Sequence, residues 1–174
     1  EALGAGLLGG VTDIEVTPDG MVYVGGSFVD AESGTELANV ARWDGTRFRD
    51  LGGLFAEVGF SLGTSNVFSV AAGPDGSVYF GGLFTRADSV RVAHVVRWDG
   101  TYWSALRTPG ERYEGVGGSV FALARHRACS VYVGGEFEYA GGVRANNIAR
   151  YVPGTGYEAL GAGLLGGVTD IEVT

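Results

Sequence analysis

Apolar and polar residues alternate along this chain in short runs, and glycine-rich stretches break the runs apart. Val11-Thr12-Asp13-Ile14-Glu15-Val16 shows the pattern, and comparable segments begin at Val67 and Val120. A period of two marks a half-buried strand, and glycine, proline and aspartate between the runs mark turns. Many short strands are predicted, and no helix.

The strands recur as a unit. The doublet Gly25-Gly26 returns as Gly81-Gly82 and Gly134-Gly135, 56 and then 53 residues on, each time followed by x-Phe. Val-Tyr and one apolar residue precede it every time. Ala41-Arg42-Trp43-Asp44-Gly45-Thr46 returns as Val96-Arg97-Trp98-Asp99-Gly100-Thr101, then more loosely from Ala149 to Thr155. An aromatic and a leucine close each unit: Phe48 and Leu51, Trp103 and Leu106, Tyr157 and Leu160. Each unit therefore reads as four strands, A to D, in roughly 50 residues, which is the period of a β-propeller blade. The expected class is all-β: three four-stranded blades belonging to a larger ring or array. Blade 1 is placed at about 11–53, blade 2 at about 67–107 and blade 3 at about 120–161. Residues 1–10 are expected to form a leading strand D, and 168–174 a trailing strand A. Paired glycines lack Cβ atoms, so they let neighbouring sheets approach closely and let the strand bend.

The two ends of the chain carry the same letters. Residues 1–17 read EALGAGLLGGVTDIEVT, and residues 158–174 repeat them without a mismatch. Either a parent protein repeats a three-blade cassette, or the segment comes from a cyclic array whose ends overlap. Three blades are too few to close a ring, since closed propellers have roughly four to eight. Closure in multiples of three is expected, six favoured and nine possible, within a longer parent array or by self-association. An open stacked array is the alternative.

Charge narrows the partners. All basic residues are arginine, 12 against 20 acidic residues, for a net charge of −8. That balance disfavours nucleic acid and anionic membrane, and no apolar run approaches the roughly 18 residues needed to cross a bilayer. Cys129 is the single cysteine, so no intrachain disulfide or multi-thiolate metal site is expected.

The pattern Val-Tyr-Val-Gly-Gly-x-Phe, then Ala-Asn-Asn-Ile-Ala-Arg, Trp-Asp-Gly and aromatic-x-x-Leu resembles the delta-60 type β-propeller repeats of large secreted and surface proteins. It is also similar to kelch repeats. The resemblance implies extracellular or cell-surface modules without catalytic activity. Blade 3 departs from it, with Tyr151-Val152-Pro153-Gly154 for Trp-Asp-Gly and Arg127-Ala128-Cys129 for the Pro-Asp-Gly turn.

Chemistry-bearing residues are sparse. His94 stands where the other blades have Asn39 and Asn147, a polar position serving the backbone, and His126 lies at the end of a strand A. Asp13 and Glu15, repeated as Asp170 and Glu172, alternate on one face of strand A. There they are expected to line a central channel, hydrating it or holding a cation. Arg42, Arg97 and Arg150 are expected to pair with carboxylates or stack on rings, and Trp43, Trp98 and Tyr151 to fill the inter-blade core. The linkers from strand D to the next strand A vary most, and variable loops on a constant scaffold are where binding surfaces sit. Phe55, Phe60 and Tyr113 are the candidate partner contacts, with capping of a blade by the apolar loop as the alternative. No nucleophile with an adjacent base, paired-carboxylate motif or cofactor loop is evident. The chain thus reads as a non-enzymatic scaffold without cofactor or metal. It would self-associate or display loops to a protein partner. The alternative is a lectin-like propeller holding sugars with Asn39, Asn146 and Asn147.

Overall fold

The computed structural model describes residues 2–30, 32–34, 37–55, 66–73, 75–126 and 130–173. Three antiparallel four-stranded sheets follow one another along the chain. The first holds β1 (Leu7–Val16), β2 (Val22–Asp30), β3 (Val40–Trp43) and β4 (Phe48–Asp50) in that order, and β5 (Leu54–Phe55) lies in the linker after it. The second holds β6 (Asn66–Ala72), β7 (Val78–Leu83), β10 (Val95–Trp98) and β11 (Trp103–Ala105); a small hairpin of β8 (Arg86–Ala87) and β9 (Val90–Arg91) interrupts it. The third holds β12 (Ser119–His126), β13 (Ser130–Glu136), β16 (Ile148–Val152) and β17 (Gly156–Ala159), with its own hairpin of β14 (Tyr139–Ala140) and β15 (Val143–Arg144). These are propeller blades: each sheet is a four-stranded meander, and the first strand of one packs on the first two strands of the sheet before it.

The two glycines of each doublet do different work. A Cβ on Gly25 would lie 2.5 Å from Val67 of the next blade, and one on Gly134 would lie 2.5 Å from Val168. Gly81 stands equally close to Val120. The first glycine is therefore the contact between sheets. A Cβ on Gly26, Gly82 or Gly135 would instead strike the backbone carbonyl of Gly10, Asn66 or Ser119 in its own sheet. Those collisions lie beside a register shift that recurs in every blade, between Val11 and Asp13, Val67 and Ser69, and Val120 and Ala122. The second glycine makes room for this bulge.

The core lies between and within the sheets. Strand C and strand D rings meet in each blade, as Trp43–Phe48 at 5.1 Å, Trp98–Trp103 at 4.8 Å and Tyr151–Tyr157 at 5.0 Å between centroids. Two of the expected arginine pairs form. Arg97 reaches the turn residue Asp75 at 2.7 Å, and Arg150 donates from Nε to Glu158 at 3.1 Å. Burial alone would raise the Asp75 carboxyl, but the Ser77 hydroxyl, Arg97 and the Ser77 N–H outweigh it and hold it at about 2.

The two ends differ from the interior of the chain. Where a leading strand D was expected, residues 2–6 lie outside any strand, and Leu7–Gly10 lengthen β1, pairing with Ser27–Asp30 of β2. Likewise the described residues after Ala159 form no ladder. Gly167–Val173 nonetheless lies where a fourth strand A belongs, because Val168 and Ile171 approach Gly134 as Val67 and Val70 approach Gly25.

Candidate functional site

The chemistry-bearing side chains are mostly spent on joining blades. Asp13 Oδ1 accepts from the N–H of Ile14 at 2.8 Å, and Oδ2 accepts from the N–H of Val70, in the next blade, at 2.7 Å. Ser69, the same position one blade on, accepts from the N–H of Leu123 at 3.1 Å. Asp13 is thus a blade-to-blade bond, not simply a channel carboxylate. Glu15 is half-buried. Burial raises its carboxyl above the ordinary value, Asp13 adds to this, and the Ala72 N–H and Arg125 pull the other way. Asp170 and Glu172 are exposed, and Asp170 accepts from the N–H of Ile171. Phe68 and Phe121, from adjacent first strands, meet at 5.4 Å, so this region is partly apolar. Among the described residues, no three of His, Cys, Asp and Glu converge as a metal site would require.

The asparagines proposed for sugar binding also serve the backbone. Asn39 and Asn147 sit at φ of 76° and 73°, a left-handed conformation that asparagine tolerates. Their carbonyls accept from Gly26 and Gly135 at 3.0 Å. Their side-chain amides donate to the linker carbonyls of Leu54 at 2.8 Å and Leu164 at 2.9 Å. Asn147 Oδ1 accepts from Phe137, and Asn146 donates to Ala162. Both ends of the Asn147 amide are therefore occupied.

His94 holds the same position in blade 2, at φ 62°, and its carbonyl accepts from Gly82 at 2.9 Å. Its Nδ1, however, is buried with no hydrogen-bond partner. Burial pushes the imidazole below its ordinary value of 6.5. The unfolded chain then takes up a proton that the fold refuses, so stability falls as pH drops below that ordinary value. His94→Asn should place an amide where it reaches the Val116 carbonyl, the counterpart of Leu54 and Leu164. Denaturant unfolding should show a gain of about 1 kcal/mol at pH 7 and a shallower loss under acid.

The linkers divide between capping and display. Leu54 is fully buried, and its backbone pairs with Ala87 of the next blade's hairpin. Val116, in the second linker, is buried in the same manner and bridges to Ala140. Phe55 continues β5 opposite Arg86; Phe60 falls outside the described residues. Tyr113 stands 70% exposed. Beside it, on the third blade's hairpin, Tyr139 is 48% exposed. The two rings border a groove of about 500 Å³ floored by Gly115, Gly117 and Gly141. Backbone bonds from Gly117 to Tyr139 and from Gly141 to Gly115 hold the walls together. Glu114 at the rim is tied to Arg107. Sequence reasoning named Tyr113 and missed Tyr139. The signal was there: an aromatic stands in a hairpin where the other blades have Asp30 and Arg86.

Residues 130–153 match the model of a β-propeller family described as a domain of unknown function (DUF5122). The match takes in the third blade's Gly-Gly doublet and its Asn146-Asn147 corner. No curated protein and no solved structure matches the chain significantly. The fold and this short match agree: the chain is built of β-propeller blades, an architecture that commonly carries protein interactions.

Proposed function

We propose that the chain is a non-catalytic, extracellular interaction scaffold, of the delta-60 or kelch-like kind, whose stacked blades hold variable linkers out to a protein partner. The observation that carries this reading is the Tyr113–Tyr139 groove, where two exposed rings flank an apolar floor between blades 2 and 3. Tyrosine gives large contact area at small entropic cost and is enriched where proteins bind one another. The rigid frame beneath it lowers the cost of ordering on binding.

Peptides selected from a displayed library on the intact chain should lose at least about tenfold in affinity, or ~1.4 kcal/mol, when Tyr113→Ser and Tyr139→Ser are combined. Equal affinity for both forms would end this reading. A glycan array provides the contrasting outcome. Binding there that survives the double substitution would favour the lectin-like reading, at a site other than the occupied asparagines.

A further inference from the structure

The Tyr113–Tyr139 groove opens over a position where the joint before it carries a larger residue. Between blades 1 and 2, Phe55 and Arg86 stand opposite each other in register. One joint on, the bridge between Val116 and Ala140 puts Gly117 and Tyr139 in those two places. A Cβ on Gly117 would meet nothing nearer than the Tyr139 carbonyl at 3.6 Å, an ordinary contact. The hollow therefore has room for a side chain that the chain itself does not supply.

The backbone of the walls is already committed. Gly115 and Val116 donate to Leu106 and Ala93, and Gly117 and Gly141 donate to Tyr139 and Gly115. With those N–H groups spent, an incoming strand finds no donor among them to build a ladder on.

What the groove offers instead is aromatic surface and negative charge. Glu114 is its one charged wall residue, and no arginine lines it. Arg107 already answers Glu114. The Glu111 carboxylate lies against Gly142, close enough that a Cβ there would stand 2.7 Å from Oε2. Among the described residues, no hydrogen bond or ion pair reaches that carboxylate. Arg112, beside it in the chain, is exposed and takes no part in the lining.

Aromatic faces attract cations, more strongly where the site is partly desolvated. Lysine and arginine suit an apolar groove that ends in a carboxylate, because an apolar stem leads to a charged head. Arginine suits it better, since its planar guanidinium stacks on a ring and forks onto a carboxylate. The net charge of −8 favours the approach of a cationic partner.

We propose that the groove binds a basic peptide segment, an arginine of the partner lying between Tyr113 and Tyr139 with its guanidinium turned to Glu111. This rests on the interaction-scaffold reading and names the chemistry of the partner.

Tyrosine ring shifts in NMR titrations of the intact chain test it. The probes are the capped peptide Gly-Arg-Gly and its citrulline analogue, an uncharged isostere. The arginine peptide should bind at least about fivefold tighter. Glu111→Gln should remove most of that preference. Glu172→Gln, the same change in charge at an exposed residue that does not line the groove, should leave it intact. Gly117→Phe, which restores the residue of the first joint, should fill the hollow and abolish binding with an unchanged urea midpoint. Equal affinity for the two peptides overturns the proposal, as does binding that survives Gly117→Phe. Equal losses from Glu111→Gln and Glu172→Gln overturn it too, since bulk charge alone would then be at work. If Gly117→Phe does not fold, the two glutamine variants still decide. Peptides that bind equally, and are both lost on Tyr113→Ser with Tyr139→Ser, would remove the arginine and keep the groove. Library-selected peptides indifferent to the tyrosines would remove both readings.

Discussion

Replacing Gly81 with valine is expected to unfold the chain's centre, lowering stability by about 3 kcal/mol or more. Gly81 lies where blades 2 and 3 meet. Any Cβ there overlaps Val120 and presses on Leu123, both buried and both held in β12. Neither can retreat without moving its whole sheet, so the cost is strain rather than a rotamer change. Gly81→Ala should cost less, about 1–3 kcal/mol. Gly10→Ala makes the matching control, because open space surrounds that position and the change should stay within about 0.5 kcal/mol. A double-mutant cycle isolates the cause. Val120→Ala removes the methyls that the new Cβ meets, so Gly81→Ala with Val120→Ala should be less destabilised than the two losses added together. Additive losses in urea unfolding would mean that the glycine serves the backbone of β7 and not the joint between blades.

That joint could be read from the sequence because it is a property of one position. A residue without Cβ, repeated in register with an apolar residue in the following strand, states the contact in letters. The bulge opposite Gly26, Gly82 and Gly135 could not be read, since an unpaired residue belongs to the register of two strands and has no letter of its own. The duplicated ends divide the two kinds of information cleanly. Both copies make the same turn, with Gly6 donating to Leu3 and Gly163 to Leu160, each at 3.1 Å. Both also make the same aspartate bond, Asp13 to Ile14 and Asp170 to Ile171, each at 2.8 Å. Yet Val11–Val16 is a laddered strand and 168–173 is not. Local hydrogen bonds follow the letters; strand pairing follows the neighbour. The same limit applied to the candidate site. Tyr113 was legible as an aromatic in a variable linker, but its partner Tyr139 lies on a hairpin of the next blade, and only the stacking of blades brings the two together. The second bond of Asp13 was illegible for the same reason, because it crosses to Val70.

A second joint depends on a hydrogen bond, and its removal should cost nearly as much. Trp103 lies on β11, packed at 4.8 Å on Trp98 and edge-on to Phe80 at 5.5 Å. Its indole Nε1 donates at 2.7 Å to the carbonyl of Leu51, which closes the blade before it, and the bond is buried. The corresponding positions in the other blades hold Phe48 and Tyr157, so the pocket accepts a smaller ring in kind. Trp103→Phe therefore keeps the aromatic contact and deletes the bond. A buried carbonyl left without its donor costs about 1–3 kcal/mol, and the space of the lost ring adds to it. The sum of about 2–3 kcal/mol corresponds to a fall in Tm of roughly 5–10 °C for a chain of this size. Trp103→Ala should lose about 3–5 kcal/mol through the larger cavity. The two variants separate packing from bonding. If calorimetry finds Trp103→Phe as stable as the unmodified chain, the Leu51 bond adds nothing to a joint carried by the Gly25–Val67 contact, the Asp13–Val70 bond and the Leu54–Ala87 pairing. If instead Phe costs nearly as much as Ala, the bond to the Leu51 carbonyl is the dominant part of what Trp103 contributes, and this indole is a clasp on blade 1 more than a part of its own blade's core.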